Sequence, residues 1–369
     1  MTLYLDLALV ALVAASFWSV PVLGRATLPF GVRVPGARVA DPAILRVRRW
    51  YGRGVLVVGV VSGAILVVAE LFFHRRLPIE LVVTVVALAL CLLGYHAHRS
   101  VAAAKRAGDW YAGLRQGTTT DTSLRTDPVR PPWLLLAPTV LISALTAAIG
   151  VLRYGELPST LPTPNGLTVD AGTRTPTTVS FAFSTVTAQV LILLLIALLV
   201  AALPRVRPDL DAEQPRASAA KYRVYLKGLL QVLLISAACA TTSLLVASLQ
   251  VWELLKPTAL VTAVSYLPLL VGLIAWVLFM VRTGEVGSRL PDTEPEQSTR
   301  VQYDDDHHWY VAGMVYINRN DPAILVHRRV GTYLTLNLGN PISWLVLLAL
   351  TAVAVLAGTG VIDLPQKGS

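Results

Sequence analysis

Charge is what this sequence has least of: only 14% of its 369 residues are Asp, Glu, Lys or Arg, against about 25% in ordinary soluble domains. A chain this poor in polar surface does not stay dissolved, which excludes a cytosolic enzyme and a disordered regulator. Cysteine is scarcer still. Cys91 and Cys239 are the only two, both inside apolar runs, so there is no disulfide framework and no zinc-ligand spacing; they read as thiols buried in a membrane. The familiar catalytic patterns are missing too, with no Gly-x-Ser-x-Gly, no His-Glu-x-x-His, no Gly-Lys-[Ser/Thr] phosphate loop and no Cys-x-x-Cys. The reading is therefore non-enzymic, with no cofactor and no metal required.

Ionisable groups are also missing where a pump or ion-coupled transporter needs them, near the bilayer midplane. Asp6, Glu70, Lys227 and Glu253 all stand near the ends of apolar runs. Inside the runs the polar residues are hydroxyls and amides such as Thr139, Ser143, Gln189 and Thr241 to Ser243, ordinary groups for helix packing.

What the sequence has in abundance is hydrophobic residues, 54% of the total. A helix needs about 20 mostly apolar residues to cross the hydrocarbon, and eight stretches qualify: 3–23, 54–73, 79–95, 133–151, 179–203, 225–252, 258–281 and 342–362. The predicted fold is an all-α integral membrane protein of about eight transmembrane helices, carrying a small α/β or hairpin module. The first stretch has no basic residues ahead of it and reads as a retained anchor. The third continues in helical pattern through His96, Lys105 and Trp110, as a rod projecting beyond the lipid. Pro138 and Pro268 predict kinks in the fourth and seventh.

Lys and Arg are segregated among the loops. Those joining spans one to two, three to four, five to six and seven to eight carry seven, six, five and six, whereas the intervening loops and the C-terminal tail carry six together. Cytoplasmic loops retain positive charge, so both termini are expected outside a bacterial cytoplasmic membrane. The net charge of +9 is then explained by anionic lipid headgroups rather than nucleic acid. Trp50, Tyr51, Trp133, Tyr222, Tyr225 and Trp344 would mark the inner headgroup level, with Tyr154 and Trp252 marking the outer one.

Outside the spans, Asp41-Pro42 followed by interleaved apolar and basic residues to Trp50 predicts a short helix on the inner leaflet. The Pro-, Thr- and Gly-rich stretch Leu157 to Pro176 reads as a solvated outer connector. A flexible linker at 282–303 leads to the most distinctive segment. It runs from Asp304-Asp305-Asp306-His307-His308-Trp309 through Asn318-Arg319-Asn320-Asp321-Pro322 and Arg328-Arg329 to Asn337, with β-branched and aromatic residues suggesting a hairpin around the Asn-Asp-Pro turn. A module of roughly 37 residues cannot build a core alone, so it should rest on the membrane face or on other loops. The carboxylates beside two imidazoles suggest a divalent-metal site, but adjacent side chains diverge and a solvated acidic turn is the simpler expectation. Asp41-Pro42-Ala43-Ile44-Leu45 recurs as Asp321-Pro322-Ala323-Ile324-Leu325, predicting two docking elements that cap helices alike.

The outer loop, with Leu-Pro-x-x-Leu-Pro-Thr at Leu157 to Thr163, resembles domain of unknown function 1648, found in bacterial multi-pass proteins related to the SdpI type of toxin immunity. The stretch Asp304 to Asn337 resembles domain of unknown function 5808 in its DDxxW, YxNxxDP and RxGxxxTLN pattern. The Phe30-Gly31-Val32-Arg33-Val34-Pro35 and Asp121 to Arg125 segments extend the likeness over most of the chain. That family commonly has His after Pro-Thr, where this chain has Pro164. The resemblance implies an integral membrane protein of immunity or signalling type.

The expected organisation is a four-helix membrane domain at 1–151, an extracytoplasmic loop at 152–178, a three-helix domain at 179–281, the linker at 282–303, a cytosolic module at 304–340, and a last helix with its tail at 341–369. The expected function is sensing, immunity or signal relay, with a transporter or transporter subunit as the alternative. Asp304, Asp305, Asp306, Trp309, Asn318, Asp321, Arg328, Arg329 and Asn337 are the candidate platform residues, able to meet a cytosolic protein partner; their plainer role is to fold the module as turn and cap residues.

Overall fold

The computed structural model describes residues 2–73, 77–116, 123–206, 208–211, 214–291, 301–302, 304–331 and 334–358. Expectations placed on Arg75, Arg76, Asp121, Thr122, the centre of the linker and the C-terminal tail lie outside these. In chain order the elements are α1 (Thr2–Leu23), α2 (Pro42–Phe73), α3 (Ile79–Ala107), β1 (Arg115–Gln116), α4 (Ser123–Thr126), α5 (Ala137–Arg153), β2 (Thr160–Asn165), β3 (Thr168–Pro176), α6 (Val179–Ala182), α7 (Ser184–Ala202), α8 (Pro215–Val251), α9 (Ala259–Thr283), β4 (Val301–Gln302), β5 (Trp309–Tyr310), β6 (Val315–Tyr316), β7 (Leu325–His327), β8 (Leu334–Leu336) and α10 (Pro341–Gly358).

Among the described residues seven helices are long and apolar enough to cross a membrane, consistent with a membrane protein; the eighth expected span is not among them, α10 having 18 residues against the usual 20 or so. Large apolar side chains on these helices stand in the open, with Leu134 90%, Leu152 79% and Leu260 74% exposed. Such exposure suits lipid and not water. The helices α2, α3 and α8 have 32, 29 and 37 residues, well beyond the hydrocarbon thickness. The projecting rod expected after the third span therefore exists as far as Ala107. There Gly108 closes the helix, Asp109 turns into the left-handed region (φ 41°) and Trp110 folds back into the core.

The chain divides into two compact units. The first comprises Met1–Thr122, Arg207–Tyr222 and Thr283–Leu345. Within it α1, α2 and α3 pack together, and α2 permits close approach where it carries glycine: a Cβ on Gly54 would meet Leu93 at 2.8 Å and one on Gly59 would meet Ala14 at 3.2 Å. The core gathers Phe30, Val32 and Val34 from the loop after α1, Ile44 and Tyr51 from α2, and Leu90, Ala97 and Val101 from α3. The separate surface helix expected at Asp41 to Trp50 does not form: Asp41 accepts the Ala43 amide at 2.9 Å, Pro42 comes next, and these residues become the first turns of α2, because Ile44, Val47 and Tyr51 bury one continuous stripe.

The module from Asp304 onward is not one hairpin around Asn318 to Pro322. It is two hairpins, β5 with β6 and β7 with β8, joined by a bridge from Tyr316 to Asn337; the Asn-Asp-Pro segment is the connection between them. The Asp-Pro echo is likewise only half kept. Asp321 accepts the Ala323 amide at 3.0 Å as Asp41 accepts Ala43, but the chain then enters the strand β7 rather than a helix. Asp-Pro fixes the local turn, and the surroundings choose between helix and strand beyond it.

The second unit comprises Ser123–Val206, Arg223–Arg282 and Val346–Ser369. The stretch read as an unstructured connector is an antiparallel hairpin, β2 with β3, with a bulge between Pro162 and Thr163. Its prolines disguise it, but Asn165-Gly166 turns the chain with Gly166 at φ 65°, and Leu161 is fully buried against Trp252, Val186 and Ala182. Several polar groups inside this unit pair with one another without charge. The amide of Gln189 donates to Thr146 Oγ1 at 3.1 Å and to the Thr241 carbonyl at 2.9 Å; Thr185 and Ser248 share a hydrogen bond of 2.7 Å.

Two further expectations are corrected. Tyr51, Tyr222, Tyr225 and Trp252 are at most 2% exposed and are core residues, not headgroup anchors; Trp252 donates to the Ala182 carbonyl at 2.8 Å. Pro138 falls at the start of α5, after a 3-10 turn at Trp133–Leu136, where a missing amide costs nothing. Cys91 stands exposed on the flank of the apolar helix α3, where lipid would cover it.

Candidate functional site

The first unit holds a chain of alternating buried charges, and three consecutive aspartates are its spine. Asp304, Asp305 and Asp306 lie where the chain turns through Asp306–His308 into β5, so their carboxylates fan outward, and each meets a cation. Lys105, in the last turn of α3, reaches Asp304 at 2.7 Å and Asp306 at 2.6 Å. Arg33 donates from Nε to Asp305 at 3.0 Å, and its backbone amide donates to Asp306 at 3.1 Å. Arg329, only 1% exposed, forms ion pairs with both Asp305 and Asp306 and donates to the Gly31 carbonyl at 3.1 Å. Trp309 caps the arrangement, its indole nitrogen donating to Asp305 at 3.2 Å while its ring lies 5.2 Å from the Arg329 guanidinium.

The chain of charges continues through Asp209, which accepts from Arg25 at 2.8 Å and from Arg33 at 2.9 Å on both oxygens. Four cations thus face four carboxylates. Burial alone would raise the Asp209 carboxyl, but Arg33 and Arg25 hold it far below the usual carboxylate range. Burial opposes ionisation of Asp306 too, and Arg329 and Lys105 overcome it. Arg33 is held charged in the same way: burial works against it, and Asp209 and Asp305 more than compensate. Burial and then Asp304 push the Tyr111 hydroxyl above its ordinary range; its ring lies 4.6 Å from the Lys105 ammonium.

The backbone geometry that permits this is unusual. Phe30 (φ 50°) and Gly31 (φ 80°) turn through the left-handed region, and a Cβ on Gly31 would lie 2.7 Å from the Ala312 carbonyl oxygen. Opposite, a Cβ on Gly313 would lie 2.9 Å from that of Arg329. Two loops therefore touch backbone to backbone, which is what brings Arg33 to Asp305.

Of the nine candidate platform residues, five meet here: Asp304, Asp305, Asp306, Trp309 and Arg329. Asn318, Asp321 and Asn337 form a second cluster that holds the module's own fold. Asn337, fully buried, donates to the carbonyls of Asn318, Asp321 and Ala323 at 2.9–3.1 Å and accepts the Asn318 amide at 3.0 Å; Tyr316 donates to Asp321 at 3.0 Å. Arg328 joins neither cluster, and its Nε is buried with no hydrogen-bond partner among the described residues. His307 and His308 stack on each other at 3.9 Å, and among the described residues no group of three or more His, Cys, Asp or Glu is disposed to hold a metal.

Sequence reasoning missed Arg25, Arg33, Lys105 and Asp209, and also His327. Burial and then the Arg25 guanidinium depress the His327 imidazole to about 4, and the ring is hydrogen-bonded to the Tyr222 hydroxyl at 3.0 Å. No local pattern announces these residues, because each is paired with a partner roughly a hundred or more positions away. No family model, curated protein or solved structure matches this chain.

Proposed function

We propose a non-enzymic protein of the bacterial cytoplasmic membrane that relays the state of its spanning helices to the 304–340 module, in the manner of SdpI-like immunity or sensing proteins. One observation carries this reading: the segments leaving α1 and α3 are clamped to the module by buried ion pairs. Arg25 stands two residues past α1 and Lys105 in the last turn of α3, with Arg33 and Asp209 completing the clamp. A shift of either helix must carry Asp304, Asp305 and Asp306 with it or strand a buried charge. Stranding costs roughly 3–5 kcal/mol, so joint movement is the cheaper course.

The segregation of Lys and Arg supports assigning the module to the cytosol and both termini to the outside, with the basic loops against anionic headgroups. A cytosolic protein partner would read the module's surface. The likeness of the 157–163 and 304–337 segments to the immunity-associated domains supports the same class.

Hydrogen exchange on the full chain in lipid nanodiscs tests the coupling. Lys105→Gln is expected to speed exchange across 304–331 by at least about tenfold, leaving α5 and α7 unchanged; unchanged exchange in the module would remove the relay. Alkaline phosphatase fused behind Gln302 should stay silent in intact bacteria, and vigorous activity would overturn the threading. Solute uptake by the purified chain in liposomes, lost on Glu70→Gln, would replace relay with transport.

A further inference from the structure

The β5–β6 hairpin of the module wears apolar side chains on its outside. Trp309 and Tyr316 pair on the inward face with rings 4.8 Å apart and Tyr316 buried, while Tyr310 pairs with Val315 on the outward one. Tyr310 is 51% and Val311 61% exposed, and Met314 and Ile317 are exposed as well. We infer that this hairpin is a membrane-surface contact, lying in the headgroup layer with Tyr310, Val311, Met314 and Ile317 against lipid. The inference rests on the reading that the apolar helices span a bilayer, and neither on the relay nor on which side the module faces.

The hairpin is tied at both ends to places where apolar helices leave the bilayer. At its tip the Ala312 carbonyl oxygen would lie 2.7 Å from a Cβ on Gly31. Phe30, next to Gly31, accepts from His98 Nδ1 at 2.8 Å and packs edge-on against Tyr51 at 4.9 Å. His98 stands three residues past Tyr95, where the apolar run of α3 ends, and Tyr51 three residues ahead of Gly54, where that of α2 begins. Both therefore lie about 5 Å outside the hydrocarbon. At the hairpin's base, Gly339 stands two residues ahead of α10, and a Cβ on it would lie 2.6 Å from the Asn318 carbonyl oxygen. With tip and base both held at headgroup depth, the strands between them are held there too.

The chemistry of the tip agrees with that depth. Turns in water are built from Gly, Asn, Asp and Ser, yet here Val311 and Ala312 stand at φ 49° and 55° ahead of Gly313 at 83°. Asn at position 311 would suit both the left-handed backbone and water better than valine does, so an apolar side chain is present against both preferences. From Trp309 to Asn320 the one charged residue is Arg319, which is exposed and complements anionic headgroups. The carboxylates on either side are turned away: Asp305 and Asp306 meet Arg329, Asp304 meets Lys105, and Asp321 is buried. Tyr310 adds the amphipathic ring that favours this layer.

The full chain carrying Cys91→Ser and Cys239→Ser is spin-labelled at one introduced cysteine at a time, in nanodiscs of mixed phosphatidylcholine and phosphatidylglycerol. Collision with oxygen, which dissolves in lipid, is compared with collision with a nickel chelate, which stays in water. Labels at Val311→Cys and Met314→Cys should favour oxygen, as one at Leu88→Cys within α3 does, and a label at Ala107→Cys should favour nickel. Labels at Val311→Cys and Met314→Cys that meet nickel as freely as that at Ala107→Cys overturn the contact; if Leu88→Cys meets nickel too, the spanning itself has failed. Dipolar coupling between two chains labelled at Val311→Cys that survives dilution with lipid gives the face to a second copy and likewise overturns it. Val311→Asp reads the same question by sign. In water Asp eases the left-handed backbone, whereas against lipid it forfeits the burial of valine and should speed hydrogen exchange across 309–317 about tenfold. Exchange that is unchanged or slower overturns the contact.

Discussion

The two units solve the problem of burying polar groups in opposite ways. The first buries full charges, with Arg329 1% exposed among carboxylates; the second buries neutral groups, as where Gln189 joins Thr146 and Thr241. The difference arises from where each cluster sits along its helices. The buried amides and hydroxyls of α5, α7 and α8 lie within spans, where a charge is expensive at any pairing. The charged clamp begins only after α1 and α3 have ended or are ending, where a polypeptide can gather several chain segments around each ion. A buried ion pair is weak evidence for stability, but it punishes the loss of one partner heavily, and that is the property a mechanical link requires.

The largest expected effect comes from breaking the charged cluster on one side. Arg329→Ala takes from Asp305 and Asp306 the buried cation they share, leaving each with one ion-pair partner, Arg33 and Lys105 respectively, and should cost about 3 kcal/mol, read as lost thermal stability of the detergent-solubilised protein. A cost near zero would show that the pairs do not hold the first unit together.

Acid should attack the first unit next. The free imidazole titrates near 6.5 and His327 in the fold near 4, so between those values the unfolded chain takes up a proton that the folded chain refuses. The stability that the neutral His327 ring supplies is therefore full above about pH 6.5 and falls toward pH 4, by about 3 kcal/mol for the whole shift. Asp209 and Asp306, held below the ordinary carboxylate range, extend the loss to lower pH. The melting temperature measured against pH should flatten between 6.5 and 4 in His327→Asn, and an unflattened profile would assign the proton elsewhere.

The neutral unit should yield the smallest effect. Trp252→Phe keeps most of the ring packing against Phe183, 6.3 Å away, but leaves the Ala182 carbonyl without its donor, for about 1–3 kcal/mol. That loss should not vary between pH 4 and 7, which separates it from the first unit; a pH-dependent loss would break the contrast.

Much of the helical framework was legible because the hydrophobic signal is local. A spanning helix must satisfy its backbone internally and show lipid an apolar surface, so each run of some 20 residues declares itself without reference to the rest. The hairpin at Thr160–Pro176 was less legible, since Pro162 and Pro164 mask the turn signal of Asn165-Gly166. Tyr51 and Trp252 were misread as headgroup anchors because an amphipathic ring near a span end looks the same whether it faces lipid or a neighbouring helix.

The candidate site was half legible. Asp304 to Trp309 and Arg328-Arg329 stood out as an unusual charged segment, but which of them face one another did not. The five residues repeated from Asp41 and from Asp321 make the same turn and then part into a helix and a strand, because one copy lies against an apolar helix stripe and the other against a strand partner.

Composition and periodicity by themselves determined that this chain is built of apolar helices and which loops hold its positive charge. Only the tertiary structure decided that Arg25, Arg33, Lys105 and Arg329 are paired with Asp209, Asp304, Asp305 and Asp306. The physical reason is range: transfer into lipid is a property of neighbours along the chain, whereas an ion pair of 3 Å can join residues 272 positions apart.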